Sequence, residues 1–177
     1  METQFANGNH LVTGVFNDKD SADSAYRSLQ ARGYDSDKIH VIMSDDTRNK
    51  HFKHEVVKTE IGSKAMEGAG TGSAIGGTVG AIAAAVAAIG TNLLLPGLGL
   101  VIAGPLAAAL AGAGAGGLTG GIVGALIGSG IPKERAVVYE KSINEGHIVI
   151  GVHARNQEEV VDIENDLRAH NAHDIHS

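Results

Sequence analysis

Apolar and polar positions alternate or recur differently at the two ends of the chain and in its middle. Leu11-Val12-Thr13-Gly14-Val15-Phe16 is rich in β-branched residues and reads as a strand. Asn17 to Asp20 reads as a turn, and Asp20 or Ser21 is placed to cap a helix with Asp23 in its first turn. Ala22, Ala25, Tyr26 and Leu29 fall at i, i+3, i+4 and i+7, one helical face, and Gly33 is placed to end it. Ile39-His40-Val41-Ile42-Met43 reads as a second strand. The far end repeats this plan. His147-Ile148-Val149-Ile150-Gly151-Val152-His153 carries His and Gly at the relative positions of His10 and Gly14. Asn156 is placed to cap a helix whose first turn holds Glu158 and Glu159, a match to the helix dipole. Val160, Ile163 and Leu167 form its apolar stripe, and Asp174-Ile175 reads as a short last strand. The β-α-β pattern thus occurs twice, and two such units sharing one sheet make the ferredoxin-like plan. Mid-strand Gly14 and Gly151 predict bulges or close approach of another backbone.

The middle has a different period. Gly68, Gly72, Gly76 and Gly80 recur every four residues, and Ala84 and Ala88 continue the row. Gly112, Gly116, Gly120, Gly124 and Gly128 form a second row. Glycine costs about 1 kcal/mol per helical position relative to alanine. Glycines four apart line one helix face and let a partner helix approach closely, which offsets that cost. Pro96, Gly97, Gly99, Gly104 and Pro105 mark a turn between the rows. The pattern predicts a glycine-zipper hairpin: a helix from about Gly72 to Leu95, a turn over Asn92 to Pro105, and a helix from about Pro105 to Ser129. Each helix would be about 36 Å long, enough to cross a hydrocarbon core of about 30 Å.

The fold class that follows is α+β: a ferredoxin-like split β-α-β sheet domain interrupted by a long Gly/Ala-rich helical hairpin that projects away from the sheet. Residues 10–43 and 147–175 are the two halves of the sheet domain. Residues 44–67 are a linker that begins as a charged loop and turns helical around Val56, Val57, Ile61 and Ala65. Residues 68–131 are the hairpin. Residues 132–146 are a connecting helix, with Pro132 in its first turn, Ala136, Tyr139 and Ile143 on its inner face, and Gly146 at its end.

Charge sharpens this division. No Asp, Glu, Lys, Arg or His lies between Gly68 and Pro132, a stretch of 65 residues. Such a segment must be buried in a membrane or in an oligomer. The second helix has seven strongly apolar residues (Leu106, Leu110, Leu118, Ile122, Val123, Leu126, Ile127), which contribute only about −2 to −4 kcal/mol of insertion energy. Lys64 before the hairpin and Lys133 and Arg135 after it place both chain ends in the cytoplasm if the hairpin spans. Met1 to His10 is polar and does not read as a secretory signal. The net charge of −6 argues against nucleic acid as a partner, and the absence of Cys excludes disulfides and thiol chemistry.

The order strand, helix, strand, glycine zipper with LLLPGLGLVIAGPLAAALAGAGAGG, then GIPKERAVVYEKSINEGHIVIGVHA, resembles the bacterial general stress protein (heat-induced stress protein) domain. The resemblance runs from about Leu11 to Ile175. Its most specific parts are Pro96-Gly97-Leu98-Gly99, Gly104-Pro105-Leu106, Gly130-Ile131-Pro132 and the Tyr139 to Gly146 segment. It implies a stress-related bacterial protein without known catalysis and supplies no catalytic residues.

Residues with chemical potential each have a plainer reading beside them. Gly112-Ala113-Gly114-Ala115-Gly116-Gly117 matches a dinucleotide fingerprint in letters, but lacks the preceding strand and the following acid. His170, His173 and His176 could form a weak metal site or solvated surface. His10 and His147, at equivalent strand starts, could face each other across the sheet. Asp45, Asp46 and Glu55 near His51 and His54 have no nucleophile and read as a solvated loop. No catalytic residue, cofactor site or metal site is therefore expected. The leading expectation is a stress-associated structural protein that self-assembles through Gly68, Gly72, Gly76, Gly80, Gly112, Gly116, Gly120, Gly124 and Gly128, with itself and membrane lipid as partners and the cytoplasmic membrane as its location. The alternative is a cytoplasmic, soluble, oligomeric sensory or ligand-binding module whose hairpin forms the oligomer core. A pore of packed glycine helices is a third reading.

Overall fold

The computed structural model describes residues 10–36, 38–52, 82, 93–95, 99–107, 121–128 and 131–177. The elements are β1 (His10–Phe16), α1 (Lys19–Ala31), β2 (Ile39–Ser44), α2 (Asp45–His51), β3 (Leu93–Leu95), β4 (Leu100–Ala103), α3 (Gly121–Gly128), α4 (Lys133–Asn144), β5 (Ile148–Ala154), α5 (Gln157–Ala169) and β6 (His173–His176). The protein is α+β. The six strands among the described residues join one antiparallel sheet in the order β3-β4-β2-β5-β1-β6. The two chain ends therefore share a sheet, as their matched patterns predict. β5 lies between β1 and β2, and β1 lies between β5 and β6, so the two β-α-β units interlock.

The predicted apolar faces are the buried ones. Ala22, Ala25, Tyr26 and Leu29 of α1, with Val160, Ile163 and Leu167 of α5, pack on one face of the sheet against Val12, Phe16, Val41, Ile150 and Val152. Ala136, Tyr139 and Ile143 of α4, with Ile122, Ala125 and Leu126 of α3, cover the opposite face against Val15, Ile42, Ile102 and Val149. With both faces covered, the central strands are apolar almost without interruption. Asn156 caps α5 by accepting from the Glu159 N–H at 2.9 Å. α1 is capped two residues before Asp20, the earlier of the two predicted caps. Asp18, in extended conformation, accepts from the Ser21 N–H at 2.8 Å, so Asp20 lies inside the first turn. Residues 45–51, expected as a loop, are a helix. Ser44 caps it, Asp45 and Asp46 stand at its start, and Arg48, Lys50 and His51 stand at its end, each sign at its favoured pole.

The middle of the chain departs most from expectation. Leu93–Leu95, expected to end the first hairpin helix, and Leu100–Ala103, expected in the turn, are strands. β4 pairs with β2 from Val41↔Ala103 to Ser44↔Leu100, and β3 pairs with β4. The residues that mark a helical turn are those that mark a β-turn, and the outer edge of β2 needs a partner for its backbone groups. The second helix is not continuous either. Gly121 has φ +68, outside the helical range, and α3 starts there. Ile82 packs into the α1/α5 core, with its N–H donating to Asp23 Oδ1 at 3.0 Å. The described parts of the middle segment thus attach to the sheet domain at its edge and on both faces, instead of projecting from it.

Candidate small-molecule cavity

A cavity of about 220 Å³ opens between β1 and the start of α4. Strand alternation sends Leu11 and Thr13 to the α4 side of the sheet, and helical spacing sends Arg135 and Tyr139 (i, i+4) back toward them. Ile131 and Pro132, just before α4, close one wall, and His10 and Ser177 stand at the rim. α4 has no side-chain cap, because Pro132 occupies its N-cap position. Among the described residues no Asp or Glu side chain lines the cavity.

Thr13 is a polar residue in an apolar strand, and it is buried. Its Oγ1 is hydrogen-bonded to the Tyr139 hydroxyl, which removes most of the cost of burying both. Burial pushes the Tyr139 phenol above its ordinary pKa, against smaller lowering effects of the Thr13 bond and Arg135. The phenol therefore stays neutral and keeps its proton. The Arg135 guanidinium donates to the terminal oxygen of Ser177, the last residue of the chain, at 3.4 Å.

Behind Thr13 the sheet has a notch at Gly151. A Cβ there would lie 3.1 Å from Thr13 Cγ2, 3.3 Å from Leu11 Cδ1 and 3.5 Å from His40 Cδ2. Side chains of β1 and β2 close over β5 at this point. Gly14 is the matching notch on the other face, where a Cβ would lie 3.1 Å from Ala172 Cβ, and the β1–β6 register shifts beside it. The predicted irregularity is thus found at Gly14 alone, while Gly151 pairs in regular register with Thr13 and His40, and at both glycines the close neighbours are side chains and not another backbone.

His40 lies beside the Gly151 notch, 1% exposed. Its Nδ1 accepts from the Leu106 N–H at 3.2 Å, and its ring meets His153 edge to face, centroids 5.0 Å apart. Burial, with a smaller repulsion from His153, lowers the His40 pKa to about 3. Burial also lowers that of His153. Among the described residues His40 Nε2 and His153 Nδ1 have no hydrogen-bond partner. A ring that accepts at Nδ1 carries its proton on Nε2, so His40 offers no lone pair there for a metal.

The residues singled out by sequence fall elsewhere. Gly68, Gly72, Gly76, Gly80, Gly112, Gly116 and Gly120, and the fingerprint-like residues 112–117, lie outside the described residues; Gly124 and Gly128 lie on α3. His10 and His147 do not face each other. β1 and β5 are antiparallel, so His10 pairs with Ala154 while His147 precedes Ile148, the partner of Phe16. His147 instead meets the His173 ring at 5.7 Å. His170, His173 and His176 diverge: His170 Nδ1 meets the Asp166 carbonyl at 2.8 Å, while His173 Nε2 lies 2.6 Å from Asn17 Oδ1. Among the described residues no group of three or more His, Asp or Glu could hold a metal ion. Asp45 pairs with Arg48 at 3.0 Å in α2, and His54 and Glu55 lie outside the described residues. Among the described residues no helix is long and apolar enough to cross a membrane.

No family model, curated protein or solved structure matches this chain. Function has to be read from the site. Thr13, Arg135, His40 and His153 were not among the sequence candidates, and Tyr139 was read only as core. The available signals were one threonine inside an apolar strand and one histidine on the second face of each of two inner strands.

Proposed function

We propose that this is a non-catalytic, ligand-binding module with a ferredoxin-like core, which self-associates through its uncharged middle. The observation that carries the proposal is the cavity between β1 and α4, with apolar walls and a small convergent polar set. The order β2-β5-β1-β6, with β3 and β4 set aside as additions to the β2 edge, supports the ferredoxin-like reading of the core. A hairpin that spans lipid is less well supported. The segment that would form its far tip is tied to β2, and α3 begins afresh at Gly121. The resemblance to the general stress protein domain makes a stress response the setting for binding. Among the described residues the cavity has no nucleophile paired with a base, which favours binding over catalysis.

The test is thermal denaturation of the full chain against a panel of small fragments, beside a Leu11→Trp variant that plugs the cavity. Ligand that binds only the folded state raises Tm. The expected result is fragments that raise Tm of the parent and leave folded Leu11→Trp unchanged. Fragments that stabilise both equally would reject the cavity as the site.

A further inference from the structure

The outer face of α4 carries a pattern of its own. Ala136, Tyr139, Ser142 and Ile143 are the buried residues of this helix. Glu134, Val137, Val138 and Lys141 are exposed, and their i, i+3, i+4, i+7 spacing gathers them into one stripe on the opposite side. Val137 is 50% exposed and Val138 36%. They are the only two exposed large hydrophobics among the described residues that are neighbours in one element. Valine is a poorer helix former than Ala, Lys or Glu, so helix propensity gives no reason for two of them on a solvated face.

The stripe is self-complementary. Glu134 stands in the first turn of α4 and Lys141 in the last, each at its favoured pole of the helix dipole. A two-fold axis passing between Val137 and Val138 would set each Glu134 against the other helix's Lys141 and each Val137 against the other's Val138. It would also run the two helix dipoles antiparallel. This is the isologous geometry of a C2 contact, with an apolar centre and a polar rim. We infer that the outer face of α4 docks antiparallel onto α4 of a second copy of this chain, with the valines at the centre and a Glu134–Lys141 ion pair at each end. A surface of one charge sign would repel one end of the stripe, whereas a second copy satisfies both. Lys141 also lies 3.9 Å from Glu145 of its own helix, an exposed pair exchanged at little cost. α4 has 12 residues and is about 18 Å long, so the face falls short of the roughly 1,000 Å² that marks a stable interface. The contact is weak, and it is separate from any association through the uncharged middle.

The chain has no cysteine, so single introduced thiols report the contact cleanly. Full-length Val137→Cys and Val138→Cys chains, one of them tagged, are mixed and oxidised, and disulfides are read on non-reducing gels, with circular dichroism as the folding control. The mixed disulfide should form faster than either homodisulfide, and faster than a Val161→Cys homodisulfide made from the exposed valine of α5. Glu134→Lys or Lys141→Glu, added to both thiol chains, should slow it about tenfold by setting like charges together. The two changes combined should restore it. The preference for the mixed disulfide should persist in Gly120→Leu, which alters the middle and not α4. Rates no higher than for Val161→Cys would overturn the docking. Faster homodisulfides would overturn the antiparallel register. A charge swap that fails to restore the rate would remove the Glu134–Lys141 pair from the contact. Loss of the preference in Gly120→Leu would show that α4 makes no contact of its own.

Discussion

The backbone N–H of Leu106 donates to Nδ1 of His40 across 3.2 Å, joining the first residues after β4 to the second strand of the sheet. The bond holds His40 in its neutral form with the proton on Nε2. It also places an acid-sensitive group where the middle segment is fastened to the domain.

Stability should therefore fall on acidification. In the unfolded chain His40 takes up a proton around pH 6.5; in the folded chain it resists until about pH 3. The unfolded state binds more protons throughout that window, so His40 lowers stability as pH drops from 6.5 toward 3. At pH 5 the loss from this residue is about 2 kcal/mol. His40→Gln, which retains an acceptor but does not titrate, should flatten the dependence. Urea denaturation at pH 7 and pH 5 measures it, and equal slopes in parent and variant would refute the assignment.

Gly104→Ala should be severely destabilising. The residue has φ +92, and an added Cβ would lie 2.2 Å from the Ile39 carbonyl oxygen, a backbone atom that cannot turn aside. Strain and collision together should cost more than about 2 kcal/mol. A shift in the denaturant midpoint below that size would mean the loop after β4 relocates freely.

Thr13 and Tyr139 should couple. Thr13→Val or Tyr139→Phe alone leaves a buried hydroxyl without its present partner, at about 1–3 kcal/mol. The double variant removes both and should cost less than the sum of the single changes. Additive losses in a double-mutant cycle would show that the two hydroxyls contribute independently.

Gly120→Leu tests the expectation about the uncharged middle. Leucine is the better helix former by about 0.8 kcal/mol, so loss of self-association could not be blamed on helix propensity. Light scattering should show a smaller species while circular dichroism of the α/β part is unchanged. An oligomer of unaltered size would remove the glycine row from the contact.

The two ends of the chain were legible because their signals are local. Ala22, Ala25, Tyr26 and Leu29 declare a helical face within a few residues, and Asn156 announces its cap in the same way. The middle was not, because a four-residue glycine period looks the same whether or not a helix runs unbroken through it. Gly121, at φ +68, interrupts the row without leaving any mark in the spacing. The pairing of Leu100–Ala103 with β2 depends on an open strand edge far away in sequence. The cavity was hidden for the same reason. Thr13 and Tyr139 are 126 positions apart, and no window along the chain contains both. The error over His10 and His147 came from matching two strand starts without asking which way the strands run.

The attachment of β4 to β2 changes what kind of insertion this is. Many inserted segments leave by a stalk and can be excised, with the host domain closing over the scar. Here residues 100–103 complete the sheet beside β2, Ile82 fills the core under α1, and Leu106 and Ala107 fill the core on the other side. Excision between β2 and α4 would bare the outer edge of β2 and uncover apolar surface on both sides of the sheet at once, the conditions under which strands recruit neighbouring molecules. The two halves of the domain are in this sense hostage to the segment between them, and any evolutionary or engineered change in its length has to preserve the places where its described residues are stitched in.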